Sequence, residues 1–254
     1  MANKRDIRFD LVKLLTIYLV IFGHILPTLN PEFGYGHVVR RIIYTFHMPL
    51  FMMISGYFCS RSLSQPFLFL VKKKLKQLIL PAITCTVLVC VAAFVFIDDY
   101  SYRDEVIGNS WFLKTLFIIY IIAWPMRHLP LSEGLYAVIS ILVLFCVPHT
   151  YSLQINYLYP FFLIGYFMNK YKLLEKMKEG GLLMSVVFFL CVCYCMLFLF
   201  YNGEYIPITY ESIITNPTQL VLRFLLALIG SLIVILFIFQ LCSRKKSSFI
   251  VKLS

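Results

Sequence analysis

Charge is what this sequence lacks. Only 14% of its 254 residues are charged and 61% are hydrophobic, whereas a soluble domain carries roughly 25% charged and 45–50% apolar residues. A core of this size cannot hold so much apolar surface, because most surface positions would have to be apolar as well. The shortage excludes a soluble globular domain and a disordered chain alike. Nucleic acid is excluded as a partner too, since a net charge of +11 in so apolar a chain is what the basic cytoplasmic loops of a membrane protein produce. Also missing are an internal repeat, a low-complexity tract, a C-x-x-C pair and any loop long enough for a second fold. The chain reads as one membrane-embedded domain over residues 1–254.

Eight cysteines are present, all in or beside apolar runs. Within the cluster Cys191, Cys193 and Cys195, only the first and last share a helix face. They read as small packing residues, not as a disulfide scaffold or a metal set. No metal is expected.

A spanning helix needs about 17–25 mostly apolar residues. Eight stretches qualify as candidates, at about 11–29, 42–60, 78–97, 111–126, 135–148, 155–169, 182–201 and 219–242. The expected fold is therefore an all-α polytopic bundle of about eight spans. The fourth to sixth are short, and Pro125, Pro130, Pro148 and Pro160 punctuate them, so kinks or re-entrant pieces are expected there. The first stretch has the basic start of a signal peptide. It lacks a small-residue cleavage site and is interrupted by Asp10 and Lys13, so it reads as a retained span.

Charge sets the orientation. With the N-terminus inside, the cytoplasmic segments hold 18 of the 23 basic residues, among them Lys72, Lys73, Lys74 and Lys76. The opposite loops hold Arg40, Arg41 and Arg103 together with Asp98, Asp99, Asp104, Glu105, Glu204 and Glu211. The positive-inside rule then places both termini in the cytoplasm. The location expected is the plasma or inner membrane, crossed many times.

Ionisable groups at membrane depth are costly, so each is a functional candidate. His24 and His47 lie at similar depth on successive spans, roughly 8–9 Å below the outer surface. Such a pair can supply a general base and an orienting partner; a structural hydrogen bond to a neighbouring helix is the plainer reading of either alone. Lys13 precedes His24 by eleven positions, which returns to within about 20° of the same helix face, about 16 Å away along the axis. Two such groups can grip opposite ends of one long ligand, a phosphate at the cytosolic mouth and a reacting centre higher up. Alternatively Lys13 and Arg8 mark the inner boundary by snorkelling, with Asp10 as an ion-pair partner. The lysines before Pro81 read either as an inner-leaflet anchor or as a phosphate clamp. Arg40 and Arg41 suit an anionic ligand or the outer boundary, and Trp111 suits the interface. Arg223 and Lys114 read as snorkelling residues.

These residues resemble the membrane-bound acyltransferase-3 family, which moves acyl groups from coenzyme A thioesters to sugar hydroxyls. The family's basic-x10-His pattern is met by Lys13 and His24, and its upstream Arg-x4-Asp by Arg5 and Asp10. Phe46-His47-Met48-Pro49-Leu50-Phe51 followed by Ser55-Gly56-Tyr57 is similar to a second landmark, and the basic run ending in Pro81 to a third. Trp111-Phe112-Leu113 and Phe162-Leu163-Ile164-Gly165-Tyr166 resemble two more. The subgroup with these motifs includes fucose and exopolysaccharide O-acetylases. Residues 170–254 resemble the family in hydropathy alone.

The resemblance implies an O-acetyltransferase that holds no permanent cofactor. Its donor would be acetyl-coenzyme A, or another acyl-coenzyme A, arriving from the cytosol. Arg5, Lys13, Lys74 and Lys76 would meet the donor's phosphates. His24, His47 and Asp10 would form the catalytic set, and Arg40, Arg41 and Trp111 would face a glycan or lipid-linked sugar. Members usually have about ten helices, and the last pair often carries G-x-x-[ST]-L…Y…H. This chain stops at Phe249-Ile250-Val251-Lys252-Leu253-Ser254, where that segment would begin. The expectation is a chain short of two helices, whose exposed surface a partner or second copy would cover. A small proton-coupled transporter or flippase is the rival class, disfavoured by the absence of repeats; an inactive scaffold of a polysaccharide-synthesis complex is the other.

Overall fold

A computed structural model describes residues 6–29, 37–96, 110–146, 153–176, 183–203 and 208–251. Among the described residues there is no strand, and each of the eight apolar stretches is helical. The main helices are α1 (Ile7–Leu29), α2 (Val38–Tyr57), α3 (Phe67–Lys74), α4 (Leu80–Phe96) and α5 (Trp111–Ala123). They continue as α6 (Glu133–Cys146), α7 (Ile155–Lys170), α8 (Leu183–Phe200) and α9 (Pro217–Val251).

Among the described residues, four segments are long and apolar enough to cross a membrane: Ile7–Leu26, Phe67–Val95, Leu183–Phe200 and Pro217–Cys242. α5, α6 and α7 have 13, 14 and 16 residues. At 1.5 Å per residue they reach roughly 20–24 Å, short of a hydrocarbon core of about 30 Å. α2 has 20 residues but carries Arg40, Arg41 and His47.

The basic run before Pro81, which lies between the second and third expected spans, is helical. From Pro66, the N-cap of α3, to Pro81 nothing breaks helix, and Leu, Lys and Gln are good helix formers. A π-helical turn at Leu75–Ile79 joins α3 to α4. A proline inside a helix removes an N–H and crowds the carbonyl four residues back. The wider π turn falls on the residues that Pro81 would crowd. It also turns Lys74 inward, leaving Lys72 and Lys76 exposed. Pro125 acts differently, closing α5 in the 3-10 turn Trp124–Arg127.

α2 runs through the middle of the bundle and packs on α1, α7 and α9. Two glycines set its closest crossing. A Cβ at Gly56 would overlap the backbone carbonyl of Phe162, and one at Gly165 the carbonyl of Met53. The S-G-Y and L-I-G-Y motifs are thus one joint seen from its two sides, with backbones in contact as small residues permit between membrane helices. α9 approaches α2 in the same way, where a Cβ at Gly230 would stand 2.8 Å from that of Phe46. The fully buried Leu50, Met52, Met53, Tyr159, Phe161 and Phe162 fill the core around the joint.

One end of the bundle is basic and ion-paired. Arg8 pairs with Asp6 and lies 4.4 Å over the Phe239 ring, and Lys13 lies 4.7 Å over Phe58. Arg127 Nη1 donates to Ser60 Oγ (2.8 Å), and Lys170 Nζ to Glu133 (2.7 Å). The candidate site lies at the other end.

Candidate active site

The first turns of α2 carry the site, and the F-H-M-P motif explains their geometry. Pro49 has no N–H, so the Thr45 carbonyl loses its intrahelical donor. The Tyr157 hydroxyl of α7 donates to that carbonyl instead, at 3.5 Å. Thr45 Oγ1 also bonds the Tyr194 hydroxyl of α8 at 2.7 Å. The proline therefore opens a backbone acceptor through which α7 is tied to α2 beside His47.

His47 is 3% exposed, and its Nδ1 donates to the Ile43 carbonyl at 2.7 Å. A carbonyl only accepts, so the proton is on Nδ1, and Nε2 of the neutral ring is an acceptor. His24, on α1, is exposed toward a cavity of about 760 Å³ that both imidazoles line. The Tyr44 ring lies 6.2 Å from the His24 ring and 4.9 Å from the His47 ring. α1 comes this close because Gly23 faces Tyr44, where a Cβ would be 2.9 Å from Cε2.

Three guanidinium groups line the same cavity. Arg40 is 7% exposed, with its Cζ 4.7 Å over the Tyr44 ring. Arg41 donates from Nη2 to the Tyr201 carbonyl and lies 5.2 Å over Phe198. Arg223, 8% exposed, donates from Nη2 to Gln154 Oε1 at 2.9 Å and stacks 3.9 Å over Tyr157. Gln154 is held at φ +46°, a left-handed conformation that costs a side-chain-bearing residue roughly 1–2 kcal/mol. Trp111, at the start of α5, lines the cavity as well. Thr115 of the same helix donates to the Leu153 carbonyl at 2.6 Å, drawing α5 toward the segment before α7.

Of the residues expected to form the site, the structure brings together His24, His47, Arg40, Arg41 and Trp111. The others lie elsewhere. Asp10 is on α1, about 21 Å along the axis from His24. Lys13 leans on Phe58 at the basic end, on the side of α1 that faces α2, as His24 does against Tyr44. Lys74 is buried with its Nζ 3.6 Å over the Tyr120 ring, and Lys76 is exposed. Arg5 lies outside the described residues. Among the described residues no cluster suited to a metal ion is present.

Arg223 is the main correction. Its place five residues into an apolar stretch suggested a side chain reaching for the boundary. The fold instead turns it inward onto Tyr157 and Gln154. The available signal was the rule that an intramembrane cation is functional until shown otherwise. Nothing in the sequence pointed to Tyr44, Gln154, Tyr157 or Tyr201.

Comparison with known proteins fits this geometry to a family. The acyltransferase domain family matches residues 6–254, nearly the whole chain. The chain belongs to the acyltransferase-3 family. Two curated relatives, both named nodulation protein NolL, are similar to it. The one from Sinorhizobium fredii is 31% identical over 179 residues, covering 65% of this chain and 49% of its own. The one from Mesorhizobium japonicum is 34% identical over 180 residues, covering 65% and 48%. This acyltransferase-family chain thus spans about half the length of the curated relatives it matches. No solved structure matches it.

Proposed function

We propose that the chain is an integral-membrane O-acyltransferase of about eight spans, with both termini cytoplasmic. It carries an acyl group, acetyl in the first instance, from acyl-coenzyme A to a hydroxyl of a cell-surface or lipid-linked glycan. The observation that carries the reading is the meeting of His24 and His47 in one cavity, in a chain of this family.

His24 accepts the proton of the sugar hydroxyl as its oxygen attacks the thioester carbonyl. Negative charge develops on the carbonyl oxygen within cationic walls, where it is stabilised. The C–S bond then breaks, the ester is released, and the coenzyme A thiolate takes the proton back from His24. His47 keeps its proton on the Ile43 carbonyl, so a neutral His47 has no donor for the oxyanion; its bare Nε2 instead receives an acceptor hydroxyl and orients it. The donor's phosphates stay at the basic end with Lys13, an ammonium suited to phosphate. The long, uncharged pantetheine arm follows the α1 face up toward His24.

Membranes carrying the chain, given radiolabelled acetyl-coenzyme A, test this reading. The wild type should label glycan. His24→Ala and His47→Ala should each lose about 10²–10⁴-fold of the rate, the usual contribution of a positioned base, at unchanged folded protein. Accumulated substrate without labelled glycan would reveal a carrier, and retained labelling in His24→Ala would refute the base assignment.

A further inference from the structure

We infer that the acceptor is anionic: the sugar that receives the acyl group carries a carboxylate or a phosphate close to the reacting hydroxyl, held by Arg40, Arg41 and Arg223. The inference rests on the transferase reading and names its acceptor class.

The argument starts from cost. Cations at membrane depth are expensive and mark substrate paths. Here three guanidiniums from two helices, α2 and α9, line a single cavity. Arg41 Nε is buried and has no hydrogen-bond partner among the described residues.

The arginines are also placed in advance. Arg223 is held by Gln154 and by the Tyr157 face, and Arg41 by the Tyr201 carbonyl. The planar guanidinium fork matches carboxylate and phosphate oxygens in pairs, and its weak hydration suits a cavity wall better than ammonium would. The donor's expected phosphate contact, Lys13, lies at the opposite end of the bundle against Phe58, so the donor's phosphates do not compete for the guanidiniums. The histidines share their cavity, so an anion bound there lies beside the hydroxyl that His24 deprotonates.

The test is competition against acetyl transfer in membranes. Three probes are compared: methyl β-glucoside (neutral), methyl β-glucuronide (a carboxylate) and glucose 1-phosphate (a phosphate). In the wild type at least one anionic probe should inhibit at a concentration ten-fold or more below that of the glucoside, and the better of the two identifies the anion. Arg223→Gln and Arg41→Gln should each erase that preference and raise the acceptor KM, with the acetyl-coenzyme A KM unchanged. Arg223→Lys keeps the charge and should keep part of the preference, which covers the case of a glutamine variant that folds poorly.

Equal inhibition by the three probes, including none by any, overturns the inference. So does a preference that survives both glutamine variants, or a rise in the acetyl-coenzyme A KM instead. Failure of the transferase reading would look different, since the wild type would then label nothing.

Discussion

His47 shows how much a single hydrogen bond can decide. Spacing alone places the two histidines at one depth, but only the 2.7 Å bond to Ile43 says which ring nitrogen is left to accept. Arg223 shows the limit on the same scale. Its partner Gln154 is 69 residues away in sequence, and no periodicity on either helix forecasts that meeting. Gly203 belongs with these residues. It sits at φ +80°, and a Cβ there would run into the Arg41 guanidinium. Gly203→Ala should therefore destabilise the protein by roughly 1–2 kcal/mol for the left-handed backbone alone. It should also weaken acceptor binding by displacing Arg41. The thermal midpoint of the detergent-purified protein, read beside the acceptor KM, checks both effects; an unshifted midpoint would remove the claim.

Elements were the most legible level. All eight apolar stretches are helical, close to the expected bounds. Length was less readable, because α5, α6 and α7 are each too short to span a bilayer unaided. The basic segment before Pro81, between two expected spans, is helical as well, as its Leu, Lys and Gln residues favour. The crossing of α2 and α7 makes the sharpest prediction at this scale. Gly165→Ala or Gly56→Ala forces a methyl into a backbone carbonyl, so the helices must separate, and overpacking of this kind costs about 1–3 kcal/mol. Gly134→Ala is the control. Nothing lies within 4 Å of its added Cβ, and alanine in a helix is favoured over glycine by roughly 0.5–1 kcal/mol. Thermal melts of the three variants should split accordingly, with the first two falling and the third level or rising.

On the scale of the whole molecule, charge alternation and packing agree. The Lys- and Arg-rich helix ends gather at one end of the bundle, around Arg8, Lys13, Arg127 and Lys170. The ends carrying His24, Arg40, Trp111, Gln154 and Tyr201 gather at the other, around the cavity. On the proposed topology the positive-inside rule puts the basic end in the cytoplasm. An alkaline phosphatase fused after Asn202 should consequently be active outside the cytoplasm, and one fused after Lys172 inactive. The reverse pattern would invert the molecule.

The joint between α2 and α7 occupies residues 53–56 and 162–165, whereas the cavity-lining positions of those helices stop at Pro49 and Tyr157. The closest backbone contact and the cavity lining thus lie on separate stretches of the same two rods. Side chains outward of Pro49 can therefore be exchanged while the close crossing beneath them stays as it is.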